Sequence, residues 1–344
     1  MNLVDETRPV LCRAYWRMKS LALQWSWFLP GIQPRHIGYD YGPLTWLKER
    51  KHRHGRKQIH ICLLEYYPPG GKFGRFMSFW INERSLICSA SLNDGMNDAD
   101  VFWIYSQDPI PSPIQKKLLR ALKKGKTDVA VINHPLFYNA YHDVSSFQMM
   151  EKAGIGVPRT EFNETDIGKT LVVYKMVDTQ ACPKFLSPYK GVVDGYRAFE
   201  FIDSRASNGL YVKYRALYLA GFILPEFILY SDQWNVVWKT KKGIDYSFEM
   251  NESEREMIHR ISDVLQVQYF TVDYVRRGSD NARIVTDINV YPLPIAYTEI
   301  VQKLGYYGRW LRFDDALHPG IQRGSHEDFW HSFDHAMENL VRKR

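Results

Sequence analysis

This chain of 344 residues has few of the features that mark secreted and membrane proteins. It contains 4 cysteines, Cys12, Cys62, Cys88 and Cys182, with no C-x-x-C pair and no regular disulfide framework. No apolar run approaches the roughly 18 residues of a membrane-spanning helix. The first residues are acidic before they are basic, unlike those of a signal peptide. We therefore expect a cytoplasmic protein without a membrane span.

The composition is that of a soluble globular protein, with 45% hydrophobic and 24% charged residues. The length allows two or three packed lobes. A formal charge of +7 is compatible with nucleic-acid or membrane contact, but also with an enzyme that binds a triphosphate and an anionic substrate. The charge alone does not decide between these classes.

Strand-like and helical patterns alternate before residue 133. The chain predicts strands over Gln58–Tyr67, Arg75–Ile81, Leu86–Ala90, Val101–Ser106 and Asp128–Ile132, with an amphipathic helix over Ser112–Lys124. A helix between two buried strands indicates a β-α-β unit and a small parallel sheet.

Two basic or glycine-rich segments in this region have competing interpretations. The run Lys48–Lys57 is either a polyanion contact or a solvated loop, and the absence of interleaved aromatic residues favours the loop. The segment Pro68–Gly74, with Lys72, has the residues to cradle a phosphate. A phosphate loop should open a helix, however, and the strand pattern that follows favours a β-turn connection.

A late hairpin carries the clearest chemical pattern. Strands are predicted over Tyr269–Arg276 and Ala282–Val290, joined by a turn, and a helix with a Ser253-x-x-Glu256 capping box precedes them. Alternation places Asp287 and Asn289 on one face, where Asp273 can lie opposite them. Such oxygen ligands suit a hard cation such as Mg²⁺ that also binds substrate phosphates. The alternative is an ordinary hairpin with solvated polar side chains.

These motifs resemble those of the ATP-grasp superfamily, and the chain is similar to its RimK-type ligases over roughly residues 101–294. Besides Asp273, Asp287-x-Asn289 and Pro292, the matching pieces include Asn133-x-Pro135 and the run Ala153–Thr160, AGIGVPRT. The resemblance implies ATP and Mg²⁺ as cofactors, with Mn²⁺ as an alternative, and Asp273, Asp287 and Asn289 as metal ligands.

The resemblance also implies roles for residues between these motifs. Lys175, in the strand Leu171–Val177, would contact the ATP phosphates, and Arg215 would contact the γ-phosphate and the acyl phosphate. Lys213, which shares a strand face with Arg215, is a further candidate for binding the nucleotide. In the predicted strand Tyr196–Asp203, the adenine would be bound by Glu200, Phe201 and Ile202 and the ribose by Asp203. Lys175 and Arg215 are thus the implied catalytic residues.

Two departures from the family pattern stand in this stretch. The family pair Asp-Lys at a helix start is Asp143-Val144 here, which removes one phosphate contact. The expected glycine-rich lid, Asp178–Gly191, has a single glycine, at its end. Lys184 and Lys190 are candidates to compensate by side-chain charge.

The predicted fold is α/β, with a nucleotide held between two sheet-containing lobes and an N-terminal α/β domain preceding them. The predicted domains are 1–132, an ATP-grasp domain over 133–315 and a helical tail over 316–344. In the tail, His326, His331 and His335 are either a metal site or the surface of a solvated helix, and the lack of supporting ligands favours the helix.

The function implied by the resemblance is an ATP- and Mg²⁺-dependent ligase that joins a carboxylate to an amine through an acyl phosphate. Its substrates would be small-molecule or peptide acids and amines, with no nucleic-acid partner, and an oligomer is compatible with the sequence. Two alternatives are a small-molecule kinase similar to inositol phosphate kinases, and a degenerate ATP-grasp protein that binds nucleotide without turnover.

Overall fold

The computed structural model describes residues 57–64, 74, 77–78, 81–82, 85–92, 99–106, 109–124, 129–142, 144–176, 184–292 and 326–342. The basic run before Lys57, the glycine-containing segment before Gly74, residue 143, the part of the predicted lid up to residue 183 and the segment 293–325 lie outside them. The chain divides into two compact units, 1–131 and 132–344. The division into three domains stays a prediction. None of the described helices is long and apolar enough to span a membrane.

The first unit is built around a four-stranded sheet in the order β2-β1-β3-β4. Strand β1 pairs in parallel with β2 and with β3, which confirms the small parallel sheet. The elements are β1 (Ile59–Leu64), β2 (Cys88–Leu92), β3 (Val101–Ile104), α1 (Ser112–Lys124) and β4 (Ala130–Ile132). Cys62 and Cys88 are buried in β1 and β2. Strand β3 is apolar and buried at all its positions, as is typical of a parallel sheet covered on both faces.

One predicted strand of the first unit is wrong. Met77, Ser78, Ile81 and Asn82, in and next to the segment Arg75–Ile81, are helical. Met77 and Ile81 are buried, and a spacing of four places them on one face of a helix. In a short apolar segment this spacing also fits the alternation of a strand, so the sequence pattern does not distinguish the two. The reason for rejecting a phosphate loop before Gly74 therefore no longer holds, and residues 65–73 lie outside the described part of the chain.

The second unit contains two antiparallel sheets and several helices, which confirms a mixed α/β class. The strands form sheets in the orders β6-β5-β7 and β10-β9-β8-β11-β12. The strands are β5 (Leu171–Met176), β6 (Lys184–Pro188), β7 (Tyr196–Glu200), β8 (Tyr211–Leu219), β9 (Phe222–Ser231), β10 (Lys241–Asp245), β11 (Tyr269–Arg276) and β12 (Arg283–Asn289). Its described α-helices are α2 (Pro135–Tyr138), α3 (Ser145–Lys152), α4 (Glu252–Leu265) and α5 (His326–Arg342). Val144 is the N-cap of α3 and makes no side-chain cap.

The three-stranded sheet has one aromatic, buried face. Tyr174 stacks on Phe185 at 5.0 Å between ring centroids, and Val172, Tyr174 and Tyr189 form a buried cluster. Since side chains alternate along a strand, Val173 and Lys175 lie on the opposite face.

Helix α4 covers one face of the five-stranded sheet with Ile258, Ile261 and Leu265, all fully buried. Its capping box joins Asn251 and Glu254, not the predicted Ser253 and Glu256, because the helix begins earlier than the apolar pattern indicates. The buried Glu254 also accepts a hydrogen bond at 2.7 Å from Arg276 Nη2 at the end of β11. The cap thus anchors the hairpin to the helix.

Asn133 fixes the start of the hairpin from the other end. Its Oδ1 accepts hydrogen bonds from the backbone N–H groups of Gln268 at 3.0 Å and Tyr269 at 2.9 Å. Its Nδ2 donates to the Tyr269 carbonyl at 2.8 Å. Asn133 has a φ of 58°, which asparagine tolerates better than most residues.

The C-terminal helix α5 is amphipathic. Trp330, Phe333 and Met337 are buried, and the helix packs against β9. His331 and His335 lie on its exposed face. The interpretation of the tail histidines as the surface of a solvated helix stays a prediction.

Gly156 lies where a backbone approaches β12. A Cβ there would lie 2.4 Å from the carbonyl oxygen of Arg283, and the Gly156 carbonyl accepts a hydrogen bond from Val285 at 2.8 Å. We expect Gly156→Ala to lower the free energy of unfolding by about 2 kcal/mol, because the backbones must separate. Urea unfolding measures this change.

The matched control is Gly243→Ala. The Cβ added at Gly243 meets only Tyr230 side-chain atoms at 3.7 Å or more, which is ordinary contact. Equal stabilities of the two variants would contradict the close approach at Gly156.

Candidate functional site

The centre of the candidate site is a row of paired residues across three adjacent strands. Arg215 on β8 pairs with Asp273 on β11, and Asp273 pairs with Asp287 on β12. Directly paired residues point to the same face of a sheet. The two carboxylates therefore lie side by side, and Asn289 lies two residues along the same face, as the sequence predicts.

A β-bulge flanks this row on each side. The β8–β9 register shifts after Arg215, which leaves Glu226 as the extra residue of β9. The β11–β12 register shifts after Asp273, which leaves Thr286 as the extra residue of β12. A bulge bends its strand and redirects neighbouring side chains. Both bulges therefore shape the sheet around Arg215 and Asp273.

Asp273 is buried and held by two cations. Its carboxylate accepts hydrogen bonds from Lys213 Nζ at 2.9 Å and from Arg215 Nε at 2.5 Å and Nη2 at 2.9 Å. Burial alone would raise the pKa of Asp273, but the charges of Arg215 and Lys213 outweigh burial and hold that pKa well below its usual range. Asp273 is therefore ionised at neutral pH, and it holds both cations in place.

The three-stranded sheet presents Lys175 to this row. Lys175 Nζ lies 3.7 Å from Asp287 Oδ1, and both side chains are partly exposed, at 31% and 45%. This ion pair connects the two sheets of the second unit. We call the space between these two sheet faces the cleft: Lys175 lies on one wall, and Arg215, Asp273 and Asp287 lie on the other.

The predicted metal ligands have the donor atoms that a hard cation requires. Asp287 is half-exposed, and Asn289 Oδ1 accepts one hydrogen bond, from the Tyr291 N–H at 2.9 Å. Asp273 is committed to Lys213 and Arg215, whose three hydrogen bonds use both lone pairs of Oδ2 and one of Oδ1, so one lone pair of Oδ1 remains. The described residues include no metal-holding group of three His, Cys, Asp or Glu, and this set has two carboxylates and an amide. It fits Mg²⁺, and the metal assignment stays a prediction.

The predicted adenine and ribose residues lie at the end of β7. The N–H groups of Glu200 and Phe201 donate to the carbonyls of Arg159 at 2.8 Å and Leu171 at 3.0 Å, so neither is available to an adenine. The Phe201 ring lies 6.5 Å from Trp234. Asp203 forms an ion pair with Arg205, which occupies the carboxylate proposed for the ribose. The roles of Glu200, Phe201, Ile202 and Asp203 stay predictions.

The sequence interpretation missed Glu226. Glu226 is 4% exposed, and burial raises its pKa to about 7, against the opposing charge of Arg215 and with the support of Asp273. The signal available in the sequence was an acid directly after Pro225 inside the apolar run FILPEFILYS. Proline within a strand pattern is typical of an edge or a bulge.

No protein-family model matches the chain, and no curated protein matches it. Similar solved structures include the ATP-grasp ligase PsnB with precursor peptide PsnA2 and AMPPNP, at 13% identity and a TM-score of 0.45, over 69% of this chain and 90% of that chain. The macrocyclase MdnC bound with precursor peptide MdnA, from Microcystis aeruginosa MRC, has 12% identity and a TM-score of 0.44, over 75% and 97% of the two chains.

A RimK-domain ATP-grasp protein from Sphaerobacter thermophilus DSM 20745 has 14% identity and a TM-score of 0.43, over 68% of this chain and 92% of that chain. PsnB and this RimK-domain protein carry the name of the ATP-grasp superfamily, which the sequence motifs resemble. Identities and TM-scores this low carry no argument about what this chain binds or catalyses.

The raised pKa of Glu226 predicts a pH-dependent stability. The folded carboxyl keeps its proton up to about pH 7, whereas the unfolded carboxyl loses it near 4.5. The folded state therefore binds more protons between these values, and stability falls as pH rises through this window. Glu226→Gln removes this fall, which is on the order of 3 kcal/mol. Urea unfolding of both proteins between pH 4.5 and 8 measures it.

The exposed Glu249→Gln variant is the control, and it should follow the wild-type curve. Parallel curves for wild type and Glu226→Gln would contradict the buried, protonated state of Glu226.

Proposed function

We propose that the chain is an ATP- and Mg²⁺-dependent ligase that joins a carboxylate to an amine. The observation that supports this most is the ion pair between Lys175 and Asp287 beside the row Arg215, Asp273 and Asp287. It brings residues that the sequence interpretation assigned to phosphates and to metal into one cleft. Lys175 and Asp287 themselves are more than a hundred positions apart in the sequence.

In the proposed reaction, a carboxylate oxygen of the acid attacks the γ-phosphorus of ATP, and the bond to the bridging oxygen breaks to release ADP. The amine nitrogen then attacks the carbonyl carbon of the acyl phosphate, inorganic phosphate leaves and the amine loses a proton. Lys175 and Arg215 neutralise the charge that develops in these steps, which is electrostatic catalysis. No covalent nucleophile of the protein is needed.

Arg215 suits this role because its position is fixed before a ligand arrives. Two of its N–H groups bind Asp273, and a guanidinium carries five. The remaining donors are available to a phosphoryl group. Because Asp273 is buried, solvent screens its hydrogen bonds to Arg215 less.

Asp273, Asp287 and Asn289 are the residues that would hold Mg²⁺, and the ion would offset the negative charge of the phosphates. At the hinge, the backbone carbonyl groups near Glu200 and the N–H of Ile202 are the proposed adenine contacts. The Phe201 ring beside Trp234 provides an apolar surface of the kind that purine rings occupy.

A second candidate function is a kinase that phosphorylates a small molecule. The observation that favours it is the excess of cations on the cleft face of the three-stranded sheet, where Lys175 pairs in register with Lys184 and Arg197. A polyphosphate substrate would match this charge. A kinase would form ADP and a phosphorylated product without an amide, whereas a degenerate protein would bind ATP without turnover.

The ligase proposal predicts an acyl phosphate that hydroxylamine can trap. We expect the protein, incubated with ATP, Mg²⁺, hydroxylamine and pools of amino acids, peptides and small carboxylic acids, to release ADP and form an acyl hydroxamate. Asp287→Asn should lower both rates about 100-fold, because the change removes a metal-ligand charge. Coupled ADP detection and mass spectrometry measure the two products.

Asp263→Asn, on the exposed face of α4, makes the same chemical change away from the cleft and should leave both rates unchanged. ADP release without hydroxamate, together with a phosphorylated pool compound, would identify a kinase. Undiminished rates in Asp287→Asn would overturn the metal assignment.

A further inference from the structure

Three basic residues form one row across the three-stranded sheet. Lys175 on β5 pairs directly with Lys184 on β6 and with Arg197 on β7. Directly paired residues on adjacent strands lie on the same face, with Cβ atoms about 5 Å apart. Lys175 contacts Asp287 across the cleft, so the row Lys184, Lys175 and Arg197 faces the cleft.

The second lysine of the glycine-poor lid lies on the other face. Lys190 Nζ is 5.2 Å from the centre of the Phe185 ring, and Phe185 stacks on Tyr174 in the aromatic face of the sheet. Of the two lysines that the sequence offers for phosphate binding, only Lys184 belongs to the cleft face.

The row carries more positive charge than nearby carboxylates offset. Like charges directly opposite one another destabilise a sheet. The nearby carboxylate of Asp287 forms its ion pair with Lys175. Within the described part of the chain, Arg197 has no ion pair or side-chain hydrogen bond, and its side chain is exposed. Such a row is stabilised when an anion binds against it.

The surrounding protein and its charges shift the pKa of Lys184. Desolvation by the surrounding protein, together with the charges of Lys175 and Lys213, lowers its pKa, while Asp287 acts in the opposite direction. The residue keeps contact with solvent, so Lys184 stands inside an open cleft, not in a closed core. A bound anion would stabilise the charged form of Lys184.

Arg197 lies at the distance from the proposed adenine site at which the phosphates of a nucleotide are expected. It precedes Glu200 by three residues on β7, a distance of about 10 Å along a strand. That separation matches the distance from an adenine at the hinge to the phosphates of the same nucleotide. An arginine there offers two parallel N–H groups to a phosphate.

We propose that Arg197 is a phosphate-binding residue of the cleft and that, with Lys184, it replaces the backbone cradle that a glycine-rich lid would provide. This inference rests on the proposed nucleotide site, and it adds a residue that the sequence motifs do not assign. The ligand class is a polyphosphate, with the triphosphate of ATP as the favoured case.

The test is isothermal titration calorimetry of wild type and Arg197→Gln with adenosine, MgADP, MgAMPPNP and inorganic triphosphate. We expect Arg197→Gln to weaken MgAMPPNP and inorganic triphosphate about tenfold each. Adenosine should bind as in wild type, because it lacks the phosphates. Rescue by Arg197→Lys should be partial, since an ammonium does not reproduce the bidentate contact.

Lys190→Gln is the matched control, because it removes the same charge from the opposite face of the same sheet and should leave all affinities within twofold of wild type. Unchanged MgAMPPNP and triphosphate binding by Arg197→Gln would overturn the proposal, as would an equal loss for adenosine, which indicates a structural defect. A wild type that binds inorganic triphosphate through Arg197 but no adenine nucleotide would refute the ligase alone. Binding of none of the probes would refute both.

Discussion

The buried carboxylate of Asp273, held between Lys213 and Arg215, is the interaction on which the arrangement of the second unit depends. A buried charge is tolerated only when it is paired and hydrogen-bonded, and removing one partner leaves an uncompensated charge. Asp273 makes three such bonds to two side chains of the neighbouring strand. They are formed only when β8 and β11 pair in this register, so the ion pairs fix which residues face the cleft.

The surroundings hold this register from both ends of the hairpin. Asn133 binds the backbone where β11 begins, and Glu254 binds Arg276 where β11 ends. The two bulges then allow Asp287 to stand beside Asp273 and bring Glu226 close to Arg215. Glu226 and Asp273 both lie near the Arg215 guanidinium. Arg215 forms its two hydrogen bonds to Asp273, whose pKa is lowered, whereas burial raises the pKa of Glu226.

The two walls of the cleft differ in how far their charges are paired when no ligand is bound. On the five-stranded sheet the charges are paired within the protein, so that wall is preorganised. On the three-stranded sheet Lys184, Lys175 and Arg197 repel one another, and of these three only Lys175 forms an ion pair among the described residues. A polyphosphate bound between the walls would therefore gain most of its contact energy from the second wall, whose repulsion it relieves. Specificity for the acid would have to come from residues beyond this row.

The sequence by itself determined the local features of the site. The period of two along a strand placed Asp287 and Asn289 on the face opposite Ile288 and put Lys213 with Arg215, and the turn after Arg276 set the hairpin. Those inferences depend on neighbours within one or two strands of the same chain segment, and they hold in the structure. The helical conformation of Met77, Ser78, Ile81 and Asn82, the Asn251 cap and the bulge at Glu226 were decided only by tertiary packing, which overrides weak local patterns. The meeting of Lys175 with Asp287, and the row that contains Arg197, also required the fold, because strand partners distant in sequence are chosen by burial and register that no single segment encodes.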